Sequence, residues 1–478
     1  MSPTTRRGFL RRTAGSLGAL AFTGSQALPG LAEAIATEGG KKPNVIFFLG
    51  DDLGYSELGC YGNTFNETPN LDRLARQGMR FTDAYAAAPV CSPYRAALMT
   101  GQWPARIGIT DYLRPNDPKH LAPGYTTIAE VFKSAGYATG MIGKWHLTGY
   151  EHDGAVEVQP TDQGFDEAIV SERRGIGGGS YWYPYHLNPA IAQRLPGKEY
   201  LVDRVNLEAV DFVERHKHEP FFLYVSHYAV HTRLVGKPDL VAKYEAKPGA
   251  GKGDLARKNN PHLAAQLEVI DEGVGMVMRK LDELGLADDT LLIFTGDNGG
   301  EDRVTSNAPL RAGKSTLYEG GIREPLLVRW PGVVPSGAVC RTPTVNCDFY
   351  PTFCAILGVR PDPTQPVDGV SILPILKDPS AQIHRDTFYW HYPLDKPHFL
   401  GGRSAGAIRQ GDWKLIEFFD TGDVELYNLA DDPGERNDLA GEKPEKAREL
   451  LGLLEDWRRS VSAQMPARKE PTRPGAKG

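Results

Sequence analysis

Residues 44–52 read Asn44-Val45-Ile46-Phe47-Phe48-Leu49-Gly50-Asp51-Asp52. Five consecutive large apolar residues without alternation describe a strand buried on both faces, the pattern of a mostly parallel sheet covered by helices. That strand ends on a glycine and two carboxylates. Adjacent carboxylates repel each other, and burial raises their pKa values unless a cation compensates. One stretch thus predicts an α/β fold and marks a strand end, where open α/β sheets place ligands.

Working outward, similar runs predict strands at Tyr137–Ile142, Phe221–Ser226, Leu291–Thr295 and Pro325–Trp330. Helical patterns separate them. Thr68 and Pro69 open one that Gly78 closes; others span Thr127–Ser134, Val202–His216 and Pro261–Leu284. Gly-rich and charged stretches at 171–180 and 246–254 read as surface loops. The texture changes near residue 375. Thr387–His391, Ala405–Arg409, Trp413–Phe418 and Val424–Asn428 read as a small antiparallel sheet, followed by a helix over Pro444–Val461. The expected organisation is a large α/β domain (37–375) with a mostly parallel central sheet flanked by helices. A small C-terminal α+β subdomain (376–465) and a tail (466–478) follow it.

At 478 residues, 41% hydrophobic and 24% charged, the chain has an ordinary globular composition. No apolar run in its body reaches membrane-spanning length, so an integral membrane protein is not expected. Residues 1–36 stand apart: Arg6-Arg7-Gly8-Phe9-Leu10 precedes a mildly apolar stretch and small residues. This resembles a twin-arginine signal peptide, cleaved after Ala34 or Ala36, and implies the export machinery as a partner and a periplasmic or otherwise exported location. Its removal takes away four Arg and Glu33, moving the net charge from −6 to −9. An anionic substrate must then be drawn by a local cationic pocket. Basic runs are confined to the termini, which argues against nucleic acid. Five cysteines make no disulfide framework, and Cys347 and Cys354, seven apart in a helix, are about 10 Å from each other, too far to bridge.

A second acidic turn, Gly296-Asp297-Asn298-Gly299, follows the strand ending at Thr295. With Asp51 and Asp52 it offers three carboxylates and one amide. Oxygen-only ligation favours Ca²⁺ or Mg²⁺ over zinc.

The third cluster is Cys91-Ser92-Pro93-Tyr94-Arg95-Ala96-Ala97-Leu98-Met99-Thr100-Gly101. It resembles the sulfatase signature, Cys-x-Pro-x-Arg with a Thr-Gly ending. The resemblance extends through Asn44–Gly54, Gly143-Lys144-Trp145-His146, Gly296–Gly299, Gly313-Lys314 and Tyr318–Pro325. It implies an alkaline-phosphatase-like fold and a sulfuric ester hydrolase whose Cys91 is oxidised to formylglycine by a dedicated maturation enzyme. A hydrated aldehyde is a geminal diol: one hydroxyl attacks sulfur, and the other later expels sulfate. By the same resemblance, Asp51, Asp52, Asp297 and Asn298 hold one Ca²⁺ alongside the modified Cys91. Arg95 orients the hydrate, Lys144 and Lys314 bind sulfate oxygens, and His146 takes the proton of the spare hydroxyl. His231 faces the leaving oxygen, with Lys314 an alternative proton donor. Such a division of labour meets the demands of sulfate-ester hydrolysis, positive charge on the non-bridging oxygens and a proton for the leaving oxygen.

One segment departs from the family. Ser226–Arg233 resembles its Pro-His-Thr-Pro element but lacks both prolines, which leaves His227 as a competitor of His231 and the loop without their stiffening. Tyr181–His186 and Trp390–His398 are aromatic and His-rich, and suit either stacking on a sugar or domain packing; His398 is a candidate substrate contact. The expected substrate is a sulfated small molecule or saccharide. Rival readings are a phosphonate or phosphate-ester hydrolase of the same superfamily, a non-catalytic binder of anionic glycans with an intact Cys91 thiol, and a structural envelope protein.

Overall fold

The computed structural model describes residues 42–115, 117–149, 158–174, 181–253 and 256–467. The leader over 1–36 and most of the tail lie outside the described residues.

Nine strands form the main sheet: β1 (Asn44–Gly50), β2 (Met79–Tyr85), β3 (Ala138–Gly143), β4 (Glu167–Ile169), β5 (Phe221–Ser226), β6 (Thr290–Gly296), β7 (Arg323–Arg329), β8 (Ala338–Cys340) and β9 (Thr344–Val345). Their order is β4-β3-β5-β1-β6-β7-β2-β8, with β9 pairing β2. From β4 to β6 every pairing is parallel; β7 runs antiparallel to both β6 and β2. β1 sits in the middle, and its sequence explains why. Val45, Phe47 and Leu49 face one core while Ile46 and Phe48 face the other, so both faces must be apolar.

Helices cover both faces. Pro69–Gln77 carries proline at its first position after Thr68. Ile128–Ser134 is closed by a capping box, the Thr127 side chain accepting from the Glu130 N–H while Glu130 accepts from the Thr127 N–H. Pro261–Glu283 begins at Asn260, whose side chain accepts from His262 and Leu263 N–H.

A second, four-stranded antiparallel sheet comprises β10 (Thr387–Tyr392), β11 (Ala405–Gln410), β12 (Trp413–Phe418) and β13 (Val424–Asn428), crossed by the helix Pro444–Ser460. It shares one core with the main body: Trp390, Ile408 and Leu454 cluster with Tyr85, Trp103 and Leu317. A buried polar knot crosses the same boundary. Lys414 Nζ lies 2.8 Å from Glu319 Oε1 and 2.8 Å from Glu435 Oε1, all three fully buried. Trp390 and Tyr392 belong to this packing and not to a sugar platform, since both are buried and the Trp390 indole N–H donates to Ala86 O.

Candidate active site

Four neighbouring parallel strands, β3-β5-β1-β6, end in register: Gly143 and Leu49 both pair with Ser226, and Gly50 pairs with Gly296. Each strand therefore releases its following residues over the same spot. From β1 come Asp51 and Asp52, from β3 Lys144 and His146, from β5 His231, and from β6 Asp297 and Asn298. The crossing is tight enough to demand glycine at 143, where φ is +102° and a Cβ would lie 2.0 Å from Ser226 O. Cys91 opens the helix Cys91–Thr100, every residue of which is buried, and Lys314 enters from the loop between β6 and β7.

These side chains converge. Ligand atoms of Asp51, Asp52, Cys91 and Asp297 all lie within 4.8 Å of one another. Around them stand three cations. Lys144 Nζ is 2.6 and 2.8 Å from the two Asp51 oxygens, and Lys314 Nζ is 2.6 Å from Asp52 Oδ2. Arg95 donates to Asp297 Oδ2 (2.8 Å), to Ser226 Oγ (2.5 Å) and to Lys144 O (2.9 Å). Asn298 Nδ2 donates to Asp52 Oδ1 at 2.8 Å, which leaves its Oδ1 buried with no hydrogen-bond partner.

The electrostatics follow from this crowding. Burial, and then the neighbouring Asp51, push the Asp297 carboxyl well above the usual carboxylate range. Burial also works against Asp52, but Lys314, His231 and Lys144 outweigh it and hold that carboxyl low. For Lys144 and Lys314 burial opposes the charge, and the facing carboxylates, Asp51 for the first and Asp52 for the second, more than restore it. Burial drives the Cys91 thiol up, despite Lys144 and Lys314. A hard cation would relieve the three carboxylates, and the orphaned Asn298 oxygen gives it a neutral ligand. The residues present fit Ca²⁺ or Mg²⁺; among them only the Cys91 sulfur is ill matched, being soft and held as a thiol.

The two histidines after β5 part company. His231 reaches the site, Nε2 standing 3.7 Å from Asp52 Oδ2, and its Nδ1 donates to Thr232 O at 2.6 Å. His227 is fully buried against Phe48, and burial alone depresses its pKa, to about 3. In place of the missing prolines, the loop is pinned by reciprocal backbone bonds, Asp51 N to Ala229 O and Val230 N to Asp51 O. Thr232 Oγ1 adds a bond to Glu301 at 2.7 Å.

His146 is buried, with Nε2 donating to Leu113 O at 2.9 Å. Burial, with Lys144 and Arg95, keeps its ring well below the usual histidine range, hence neutral. His398 lines a cavity of about 540 Å³ formed by 109–114, Asp117, Lys119 and 393–399; its Nε2 is buried without a partner, and burial lowers its pKa to about 4.

Several contributors escaped the sequence reading. Glu172 grips the backbone N–H of Trp145 (2.9 Å) and His146 (2.5 Å), fixing the turn where His146 has φ +55°. Ser226 accepts from Arg95. Tyr181, read as a stacking candidate, is buried and tethers the His231 loop instead. None of the three carries a local signal, since each acts through a partner distant in sequence.

The sulfatase family profile matches residues 43–359, and the profile described as N-sulphoglucosamine sulphohydrolase, C-terminal, matches residues 312–457. Arylsulfatase A of Homo sapiens is 33% identical over 91% of this chain and 91% of its own. An N-acetylgalactosamine-6-O-sulfatase of Bacteroides thetaiotaomicron is 29% identical over 87% of this chain and 93% of its own. Among solved structures, Ps i-CgsB in complex with k-i-k-neocarrahexaose superimposes with a TM-score of 0.77 at 30% identity, covering 90% of this chain and 96% of that one.

Proposed function

The chain belongs to the sulfatase family and is a sulfuric ester hydrolase of alkaline-phosphatase-like fold, and from that premise we propose that it desulfates a saccharide through a formylglycine made from Cys91. Asp51, Asp52, Asp297 and Asn298 would hold one Ca²⁺ beside that residue. The observation that carries this reading is the 4.8 Å convergence of three carboxylates on Cys91, ringed by Lys144, Lys314 and Arg95. A protonated thiol contributes little there, as nucleophile or as ligand to a hard ion; an oxygen at the same carbon suits both tasks. For the saccharide, support comes from the N-acetylgalactosamine-6-O-sulfatase and from the structure carrying an oligosaccharide.

The hydrated aldehyde would supply two hydroxyls on one carbon, one to attack sulfur and the other to lose its proton and re-form the carbonyl as sulfate departs with the first oxygen. Calcium, held by Asp51, Asp52, Asp297 and Asn298, would supply positive charge to the sulfate group. The remaining work falls to the chain's own residues. Lys144 spends two of its three N–H donors on Asp51, and Lys314 spends one on Asp52, so both retain donors for sulfate oxygens. Arg95, fixed by three acceptors, cannot swing away; it holds its charge and the hydrate in place. Because the neutral His146 ring keeps its proton on Nε2, Nδ1 is the basic nitrogen that takes the proton of the spare hydroxyl. At the leaving oxygen, burial and then Lys314 depress His231 to about 4, and with Nδ1 donating to Thr232 O its neutral Nε2 can only accept, so the hydrogen bond and proton for that oxygen come from the Lys314 ammonium and Nε2 accepts from the alcohol once formed. The orphaned Nε2 of His398 is the proposed contact to the alcohol part.

Mass spectrometry of the peptide containing Cys91 tests the reading: an aldehyde is expected, and an intact thiol in active protein would defeat it. Turnover of matched sulfate, phosphate and phosphonate esters should favour sulfate. A preference for phosphorus would redirect the assignment to the rival hydrolase. With the Arg6-Arg7 leader, the proposed sequence of events is maturation in the cytoplasm followed by twin-arginine export, and no helix among the described residues is long and apolar enough to cross a membrane.

A further inference from the structure

Phe399 is 67% exposed, one of three exposed large apolar side chains among the described residues, and it lines the cavity of about 540 Å³ that opens beside the site. The cavity wall is bonded to residues of the site. Leu113 in its wall accepts from His146, and the Leu113 N–H donates to Ser92 Oγ at 2.9 Å, next to Cys91. His398, also in the wall, has its Nε2 buried without a partner.

Phe399 is held there, not merely left out. Its ring lies 4.4 Å from the His398 ring, and the Arg303 guanidinium stands 5.3 Å from its centroid. Arg303 is in turn paired with Glu301 at 2.5 Å, the carboxylate that accepts from Thr232 in the His231 loop. An exposed phenyl fixed at a cavity mouth is a binding feature more than a packing one.

The charges of the wall cancel. Three cations, Arg114, Lys119 and Lys396, face three carboxylates, Asp111, Asp117 and Asp395. A second anionic group on a ligand would meet as much repulsion as attraction, with desolvation to overcome as well. Hydroxyls, which both donate and accept, meet partners of either sign.

We propose that this cavity takes the alcohol part of the substrate as a saccharide ring stacked on Phe399, and that this ring bears no charge beyond the sulfate being removed. The inference rests on the sulfate-ester reading above.

Kinetic constants of the wild type and of Phe399→Ala are measured with 4-nitrophenyl sulfate, with monosaccharides bearing one sulfate, and with the same sugars bearing two. The singly sulfated member of each pair is expected to have a kcat/KM about tenfold higher or more. Phe399→Ala should raise its KM about three- to tenfold, the range of a lost stacking contact, with kcat nearly unchanged. Equal or better turnover of the doubly sulfated sugars, an unchanged KM in the variant, or hydrolysis of the aryl sulfate alone would overturn the inference. Failure on every sulfate ester, 4-nitrophenyl sulfate included, would instead defeat the underlying reading and take this one with it.

Discussion

The Tyr181 hydroxyl shares its one proton between two carbonyl oxygens, that of His231 at 3.0 Å and that of Tyr228 at 2.9 Å. One buried side chain thus spans the loop that lifts His231 over the site, where the family resemblance calls for two prolines. A hydroxyl can replace a ring constraint here because the loop ends are already tied to Asp51 through backbone bonds.

Tyr181→Phe removes this bridge without changing the ring's packing. The lost hydrogen bond costs about 1 kcal/mol of stability. If loop position matters to the leaving group, kcat falls about three- to tenfold while KM moves less. Steady-state kinetics beside a thermal melt separate the two effects; an unaltered kcat with a lowered Tm would reduce Tyr181 to a stabilising residue.

Cys91→Ala should lower turnover at least a thousandfold while the protein still folds. The site is surrounded by paired charges that do not need the sulfur: Lys144 keeps Asp51, Lys314 keeps Asp52, and Arg95 keeps Asp297. Circular dichroism and a melting curve check the fold. Residual turnover near the wild-type level would remove Cys91 as the source of the nucleophile.

Calcium should raise the melting temperature, because it binds a folded cluster that the unfolded chain lacks. At a hundredfold excess over Kd the gain is about 2.7 kcal/mol. Asp297→Asn should abolish most of that gain. The same change relieves the repulsion from Asp51 that, together with burial, raises the Asp297 pKa. Against that relief, Asn offers a single acceptor to Arg95 and the Asp52 N–H, which bond one Asp297 oxygen each, so the metal-free variant is expected to melt lower than the metal-free wild type and the calcium-induced rise is the readout. Titrating CaCl₂ after chelation, with melting followed at each step, reads both effects without any assay of turnover. An equal calcium response in the two proteins would dismiss Asp297 as a ligand.

Sequence reading reached the site because its residues cluster at strand ends, and a strand buried on both faces announces itself as an unbroken apolar run. β1, β5 and β6 all read that way. β2 did not: Met79-Arg-Phe-Thr-Asp-Ala-Tyr85 is interrupted by a register shift between Phe81 and Ala84, so alternation fails in mid-strand. The helix Cys91–Thr100 begins at Cys91 itself, two residues before Pro93. It is buried all round, so no polar stripe reveals its period. Texture located the second sheet, but not the core it shares with Tyr85 and Trp103. Contacts across that boundary are fixed by side-chain shape, which periodicity does not encode.

At that boundary, Lys414→Met should be costly. Lys414 is the cation between Glu319 and Glu435, and its loss leaves two buried carboxylates facing each other. Burial already raises Glu435; Lys414 counters this, and Glu319 adds to it. Breaking such a cluster on one side costs about 3–5 kcal/mol. Adding Glu435→Gln to Lys414→Met should recover part of that, since one of the stranded charges is gone. Denaturant unfolding of the single and double variants measures the coupling. Additive losses would mean that the three groups do not act as a unit.

Stability should also fall with acid in a way that one residue makes traceable. His391 on β10 is buried, with Nε2 donating to Gln464 O at 2.8 Å. Burial lowers its pKa to about 4; the bond to Gln464 opposes this, and the nearby Arg458 reinforces it. The unfolded chain takes up this proton near pH 6.5, the folded protein only near 4. The contribution is therefore complete above pH 6.5 and is lost as pH falls from there through about 4. Each tenfold difference in proton affinity between the two states is worth about 1.4 kcal/mol, so the whole contribution is about 3 kcal/mol. His391→Gln should be less stable than the wild type at pH 7, where its replacement hydrogen bond is poorer, yet lose less stability on going to pH 4.5. Urea unfolding of both proteins at pH 7, 5.5 and 4.5 makes the comparison, since the other buried histidines contribute equally to each. Parallel curves for the two proteins would mean that His391 does not titrate between these limits, and the acid sensitivity would belong elsewhere.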